Sequence, residues 1–412
     1  MIKKVTIYFS IVFIGVCMSL LCIRVPVFAA ETELPVAKVA ISDDQSIVIE
    51  RVLFEALKRS GYQMVSKVTG MRTAVADVNY GDAAILPLQT DGWEALYENL
   101  LKVPEDIDQV EFTAYTRGDD SHQFSEWGDM AGLRLGYRNQ NQYVANKVEA
   151  LSLYELVKVN EIEELWAALF KHEADVVVLP RMSHFEHRFP DGVRRAGVVE
   201  AQLVYTYVNK AYADLVPLLD AAYKGMKSDG TLASIHDGRR LSGGRQTVLH
   251  INSYNAQNDW ERGQMEAIRG SLEPGTALEY YSFNLNTNEL HSQAGFNAVV
   301  SDMIRTNFVA RSPDLIIASG NEAFEFTLNY YYLLFPNVPV IFFGVQGFES
   351  SMLHGLENHV AGVPEKAYFY ETVSEMLRLY PNTRRIYILN GNTLQKSIKL
   401  GKDIHAKLQD GA

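Results

Sequence analysis

Side chains able to grip a small polar solute recur at one kind of place in this sequence, just after short apolar runs. Asp43, Asp44 and Gln45 follow the run at 38–41, and Gln89, Thr90, Asp91 and Trp93 follow the one at 82–87. Tyr137, Arg138, Asn139, Gln140 and Asn141 close the run at 133–136, and Arg181 follows 174–179. Further on, Ser253, Tyr254 and Trp260 follow 247–251, Ser319, Gly320, Asn321 and Glu322 follow 315–318, and Gly344, Val345 and Gln346 follow 338–343. Amides, hydroxyls and charges fix a solute's orientation, while aromatic rings exclude water. Arg138 or Arg181 would give a carboxylate a bidentate grip. The loops at 137–141 and 319–321 open helices, whose free N–H groups favour an anionic or carbonyl oxygen. Each residue also has an ordinary reading: Asp43 or Asp44 as a helix cap, Arg181 in a salt bridge, Tyr137, Tyr254 and Trp260 in packing.

Signals for catalysis are weak. There is no G-x-S-x-G, P-loop or G-x-G-x-x-G pattern. His184-Phe-Glu-His187 is H-x-x-H, without the i, i+4 spacing and glutamate of a zinc-protease helix, and reads as a solvated loop. Acids are scattered, and no spacing selects a pair for acid–base work. Neither an enzyme activity, a cofactor nor a metal is expected.

The elements that must position these loops follow from the pattern. The chain has 412 residues, 47% hydrophobic and 21% charged, with a formal charge of −12. That is globular composition for two or more domains, and its acidity argues against a nucleic-acid partner. Residues 1–30 read as an export signal: Lys3 and Lys4, an apolar run of about 19 residues from Val5, a break at Pro26, then Ala29 and Ala30. An uncleaved anchor is the alternative. Both cysteines, Cys17 and Cys22, fall inside it, so a disulfide or thiolate site is excluded downstream. Removing it leaves 35 basic against 50 acidic side chains, a charge of −15. A periplasmic or extracellular location, free or membrane-anchored, is expected.

From Val36 onward short strands alternate with amphipathic helices, as at Ile49, Val52, Leu53, Ala56 and Leu57. The fold class is therefore α/β, with ligands expected beyond the carboxyl ends of strands. A flexible linker at 241–245 divides the chain, and alternation restarts after it, down to a strand at 385–389 and a helix at 397–408.

Two segments carry resemblances. Trp127-Gly-Asp-Met-Ala-Gly132-Leu-Arg-Leu-Gly136, Lys171-His-Glu-Ala-Asp175 and the stretch from Asn209 to Thr231 make residues 36–240, within a first module bounded at 31–240, resemble the family 3 extracellular solute-binding proteins, of type II periplasmic-binding fold. The serine/threonine-plus-arginine clamp that such proteins use on an α-carboxylate is not evident here, so the ligand class does not carry over. Leu249-His-Ile-Asn-Ser253-Tyr254, Pro313-Asp314 through Asn321-Glu322, and Leu334-Phe335-Pro336 through Gly344-Val345 make residues 246–412 resemble the type I ABC substrate-binding domain, also found in sensor regions of bacterial histidine kinases and diguanylate cyclases. The resemblance implies tandem type II and truncated type I modules, the second with its first lobe and the start of another, at the N-terminal end of a longer sensor. It implies a small-molecule ligand such as an amino acid or organic acid, with a membrane-anchored output domain as partner. Alternatives are the binding component of an ABC uptake system, with a permease as partner; a periplasmic enzyme carrying a binding module; and a first module that only docks proteins.

Overall fold

A computed structural model describes residues 34–42, 45–152, 154–182, 184–185, 189–238, 245–254, 259–271, 278–285, 296–366 and 368–387. Asp43, Asp44, most of the expected linker and the expected helix at 397–408 lie outside them.

The first part begins β1 (Val36–Ser42), α1 (Ile47–Arg59), β2 (Gln63–Thr69), α2 (Met71–Tyr80), β3 (Ile85–Thr90), α3 (Trp93–Leu96) and β4 (Leu100–Lys102). It continues β5 (Asp108–Arg117), β6 (Arg134–Arg138), α4 (Gln142–Leu151), β7 (Glu155–Val159), α5 (Ile162–Phe170), β8 (Val176–Arg181), β9 (Val193–Asn209), α6 (Leu215–Ser228) and α7 (Thr231–His236). One nine-stranded sheet results, ordered β2-β1-β3-β9-β5-β8-β6-β7, with β4 also on β9. Its two ends repeat one plan. β1 lies parallel between β2 and β3, with β9 antiparallel beside β3. Likewise β6 lies parallel between β7 and β8, with β5 antiparallel beside β8. The chain passes from one half to the other along β5 and returns along β9, which pair with each other over Asp108–Arg117.

Local sequence explains the elements. In α1, Val48, Val52, Leu53, Ala56 and Leu57 are fully buried, and the Ser46 hydroxyl accepts the Val48 N–H. Gly197 (φ 130°) sits at a bulge in β9 where a Cβ would collide with the Phe124 backbone.

The second part comprises β10 (Gln246–Asn252), α8 (Asp259–Ser271), β11 (Leu278–Asn284), α9 (Phe296–Phe308), β12 (Leu315–Ser319), α10 (Asn321–Asn329), α11 (Tyr331–Leu334), β13 (Val340–Gln346), β14 (Val360–Glu365) and α12 (Phe369–Leu379). Its five strands are all parallel, in the order β11-β10-β12-β13-β14. The expected strand at 385–389 is not formed over its described residues, 385–387.

Helix α1 is covered on both sides, by its own sheet and by the second part, and this is why Glu50 and Arg51 are buried as well as its apolar face. Arg305 of α9 donates to the Glu50 carboxylate and to the Gln45 carbonyl, and Arg51 donates to the Phe308 carbonyl. Burial raises the Glu50 carboxyl against the opposing pull of Arg305, and pushes the Arg51 guanidinium down to about 10. Removing one partner of such a pair strands the other's charge, so Arg305→Met should cost about 3–5 kcal/mol in urea unfolding. The double variant Glu50→Leu/Arg305→Met should recover most of that loss; a single variant as stable as the parent would show that the pair does not hold the two parts together.

Candidate functional site

Strand ends from both halves of the nine-stranded sheet meet around one cavity of about 190 Å³. Gln45 after β1, Gln89 and Thr90 at the end of β3, and Trp93 opening α3 form one side. Arg138 at the end of β6 and Gln140 and Asn141 after it form the other. Seven of the residues singled out from the sequence thus share one wall system: Gln45, Gln89, Thr90, Trp93, Arg138, Gln140 and Asn141.

The polar members are held in place by local bonds. Gln45 Oε1 accepts from the Ser42 N–H, and Gln45 Nε2 and Gln89 Nε2 both donate to the Pro87 carbonyl, at 3.3 and 2.9 Å. Pro87 cannot serve the ladder as a donor, and the β3–β9 register shifts between Leu86 and Gln89. The bulge leaves Leu88 at φ 61°, a conformation that a leucine adopts under strain, and Leu88 lines the cavity. Asn141 caps α4 through Val144 N–H, and Arg138 donates to the Asn160 carbonyl and the Gln140 amide.

Four expected residues lie elsewhere. Tyr137 is fully buried in the core, because neighbours on β6 point to opposite faces. Arg181 stands opposite Glu111 on β5 and pairs with it at 2.7 Å. Asp91 caps Gly92 and pairs with Lys102, and Asn139 is exposed, its backbone N–H on Val159. His184, expected on a solvated loop, is instead 2% exposed and lines the cavity.

The apolar and aromatic wall escaped the sequence reading. Val110 and Phe112 on β5 and Tyr143 on α4 belong to it. Phe112 and Tyr143 stack at 4.5 Å. Behind them Glu200 accepts from Tyr143 and Trp127, at 2.7 and 2.5 Å, and pairs with Lys147. Burial alone would raise this carboxyl, but its donors hold it below the usual range. Alternation along β5 was the available signal for this wall.

In the second part, most of the expected residues gather at the carboxyl end of the five-stranded sheet, beyond the paired ends of β10 and β12. The Ser253 hydroxyl donates to the Ser319 carbonyl and accepts the Ala323 N–H. Gly320 (φ 83°) faces Ser253 so closely that a Cβ would meet its hydroxyl at 2.5 Å. Asn321 exchanges two bonds with the Gln346 backbone, Gly344 sits beside Gly320, and Glu322 and Tyr254 are half-buried nearby in sequence. Trp260 belongs to α8; its side chain lies outside the described residues. Beneath this platform, fully buried His250 contacts the Ser319 hydroxyl at 3.0 Å through Nε2 and the Tyr280 hydroxyl through Nδ1.

No protein-family model and no curated protein matches the chain. Among solved structures, it is similar to the arginine-bound amino acid ABC transporter substrate-binding protein AbpA of Streptococcus pneumoniae, at 14% identity over 49% of this chain and 93% of that one (TM-score 0.40). It is similar to the probable amino-acid ABC transporter extracellular-binding protein ytmK of Bacillus subtilis, at 14% identity over 49% and 96% (TM-score 0.41). It is also similar to the periplasmic VFT2 domain of Bordetella pertussis BvgS, at 16% identity over 49% and 92% (TM-score 0.40). No described helix is long and apolar enough to cross a membrane.

Burial, aided by the Arg269 charge, pushes His250 down to about 4, against about 6.5 when exposed. Between these values the unfolded chain binds a proton that the folded chain refuses. The stability contributed by neutral His250 is therefore complete above about pH 6.5 and lost as pH falls toward 4, on the order of 3 kcal/mol. His250→Gln should show a smaller fall in Tm than the parent between about pH 7 and about pH 4.5. Equal falls would remove His250 as a source of acid sensitivity.

Proposed function

We propose that the first part of this chain binds a small carboxylate-bearing solute outside the cytoplasm, and that the chain senses it. One observation carries the reading: strand-end loops from two like-built halves converge on a shared cavity, with Arg138 the lining residue of fixed charge among those described. Apolar and aromatic walls with a few fixed polar groups suit a small organic acid or amino acid. Arg138, already oriented by Asn160 and Gln140, supplies the planar fork that matches a carboxylate. The halves are joined by β5 and β9, so closure on a solute would flex two strands rather than refold either half.

Sensing is favoured over uptake by the contact at α1. Gln45 lines the cavity with its side chain, while its carbonyl is held by Arg305 of the second part. A shift of Gln45 on solute binding therefore has a direct path into α9. A second membrane-anchored component, or an output domain in the same chain, would read that change. Uptake, with a permease as partner, needs no such path.

The full chain should be screened by thermal shift against amino acids, organic acids and nucleobases. A ligand at 100 times its Kd adds about 2.7 kcal/mol, and carboxylates should dominate the hits. Arg138→Gln should weaken the best of them about 10- to 100-fold, the worth of a charge-assisted bond. Absence of any carboxylate hit, or an unchanged Kd in Arg138→Gln, would sink the assignment. Amide exchange should then change at 300–308 when the solute binds; exchange unaltered there would favour uptake.

A further inference from the structure

Asp108, His184 and His236 come from three separate elements: the first residue of β5, the turn after β8, and the last residue of α7. Their donor atoms all lie within 4.8 Å of one another. His184 Nδ1 is 3.1 Å from Asp108 Oδ2, and His236 Nε2 is 3.7 Å from the same oxygen. The two imidazoles stack with centroids 5.1 Å apart. The His184 side chain is 0% exposed and that of Asp108 9%.

Yet both ring nitrogens of His184, Nε2 of His236 and Oδ2 of Asp108 make no well-formed hydrogen bond. Unsatisfied buried polar atoms are costly, and Asp108, His184 and His236 each bring one donor atom to within 4.8 Å of the other two, which calls for an occupant. The donor set selects it. Two imidazoles and one carboxylate suit zinc-like divalent ions, whereas calcium and magnesium take oxygen donors. Metal–ligand bonds of about 2.0–2.2 Å place donors roughly 3.3–3.6 Å apart in a tetrahedron, and the measured 3.1 and 3.7 Å bracket that spacing.

We infer that Asp108, His184 and His236 bind a divalent transition metal of the zinc class, with a fourth position left to water. His184 reaches the cavity wall, Asp108 starts the strand that joins the two halves, and the His236 carbonyl accepts from Asn337 of the second part. The ion would brace all three. This inference does not rest on solute binding, and the metal is its own readout.

The full chain, stripped by chelator, should be titrated with Zn²⁺ alone. One saturable ion per chain with a rise in Tm is expected, and His184→Gln and His236→Gln should each weaken binding by at least ~100-fold. Asp108→Asn should weaken it as well. His122→Gln and His187→Gln should bind as the parent does, because the H-x-x-H spacing plays no part. Circular dichroism checks that each variant is folded. Independently of any variant, Co²⁺ in the parent chain should give an intense visible d–d spectrum of four- or five-coordinate type. No saturable Zn²⁺, a weak octahedral Co²⁺ spectrum, or binding lost in His187→Gln and kept in His236→Gln would overturn the inference.

Discussion

The pairing of β5 with β9 is the constraint on which the cavity depends. Each half of the first sheet has three parallel strands and borrows its antiparallel neighbour from this crossing pair. Side chains alternate across a sheet, so register decides which residues meet the cavity. In the observed register Val110 and Phe112 line it, while Glu111 faces away and pairs with Arg181. A slip of one residue would send the Glu111 carboxylate into the cavity and away from Arg181. The Gly197 bulge absorbs the mismatch between two strands that must each serve both halves.

This geometry also sets what could be read without coordinates. Loops after apolar runs were legible, because α/β connections put functional groups at the carboxyl ends of strands. Gln45, Gln89, Arg138 and Asn141, strand-end groups of that kind, line one cavity. Tyr137 and Arg181 take the packing and salt-bridge places open to them, because a strand-end position does not say which face a side chain takes. The apolar wall at Val110, Phe112 and Tyr143 was hidden for a related reason: an alternating strand residue looks the same whether it faces a packed core or a cavity. Leu88 needed a bulge that Pro87 hints at but does not locate. His184 was the deepest miss. Its local partner by spacing is His187, whereas the groups it meets lie on β5 and α7, and only the folded topology brings those together.

The junction between the two parts obeys a different logic. Glu50, Arg51 and Arg305 are buried where a purely apolar contact would be simpler. Buried pairs contribute little net stability, but they penalise every arrangement in which one partner is left alone. Such an interface has few tolerated geometries. Arg305 holds the Gln45 carbonyl and the Glu50 carboxylate together, fixing the loop before α1 and the first turn of α1 as one unit.

That coupling bounds what a solute can achieve. Converting a population from 1:99 to 99:1 takes about 5.5 kcal/mol of differential affinity, while a micromolar ligand supplies about 8.2 kcal/mol in total. Severing the Arg305–Glu50 pair would consume about 3–5 kcal/mol of that, leaving too little to close the cavity decisively. If the cavity takes a solute as proposed, one of ordinary affinity can only move Gln45 and α9 together, with the ion pair intact. Motion passed on through an unbroken pair would reach the second sheet through α9, whereas a broken pair would end it at α1. On the proposed sensing role, the buried charges would make the junction a linkage rather than a latch.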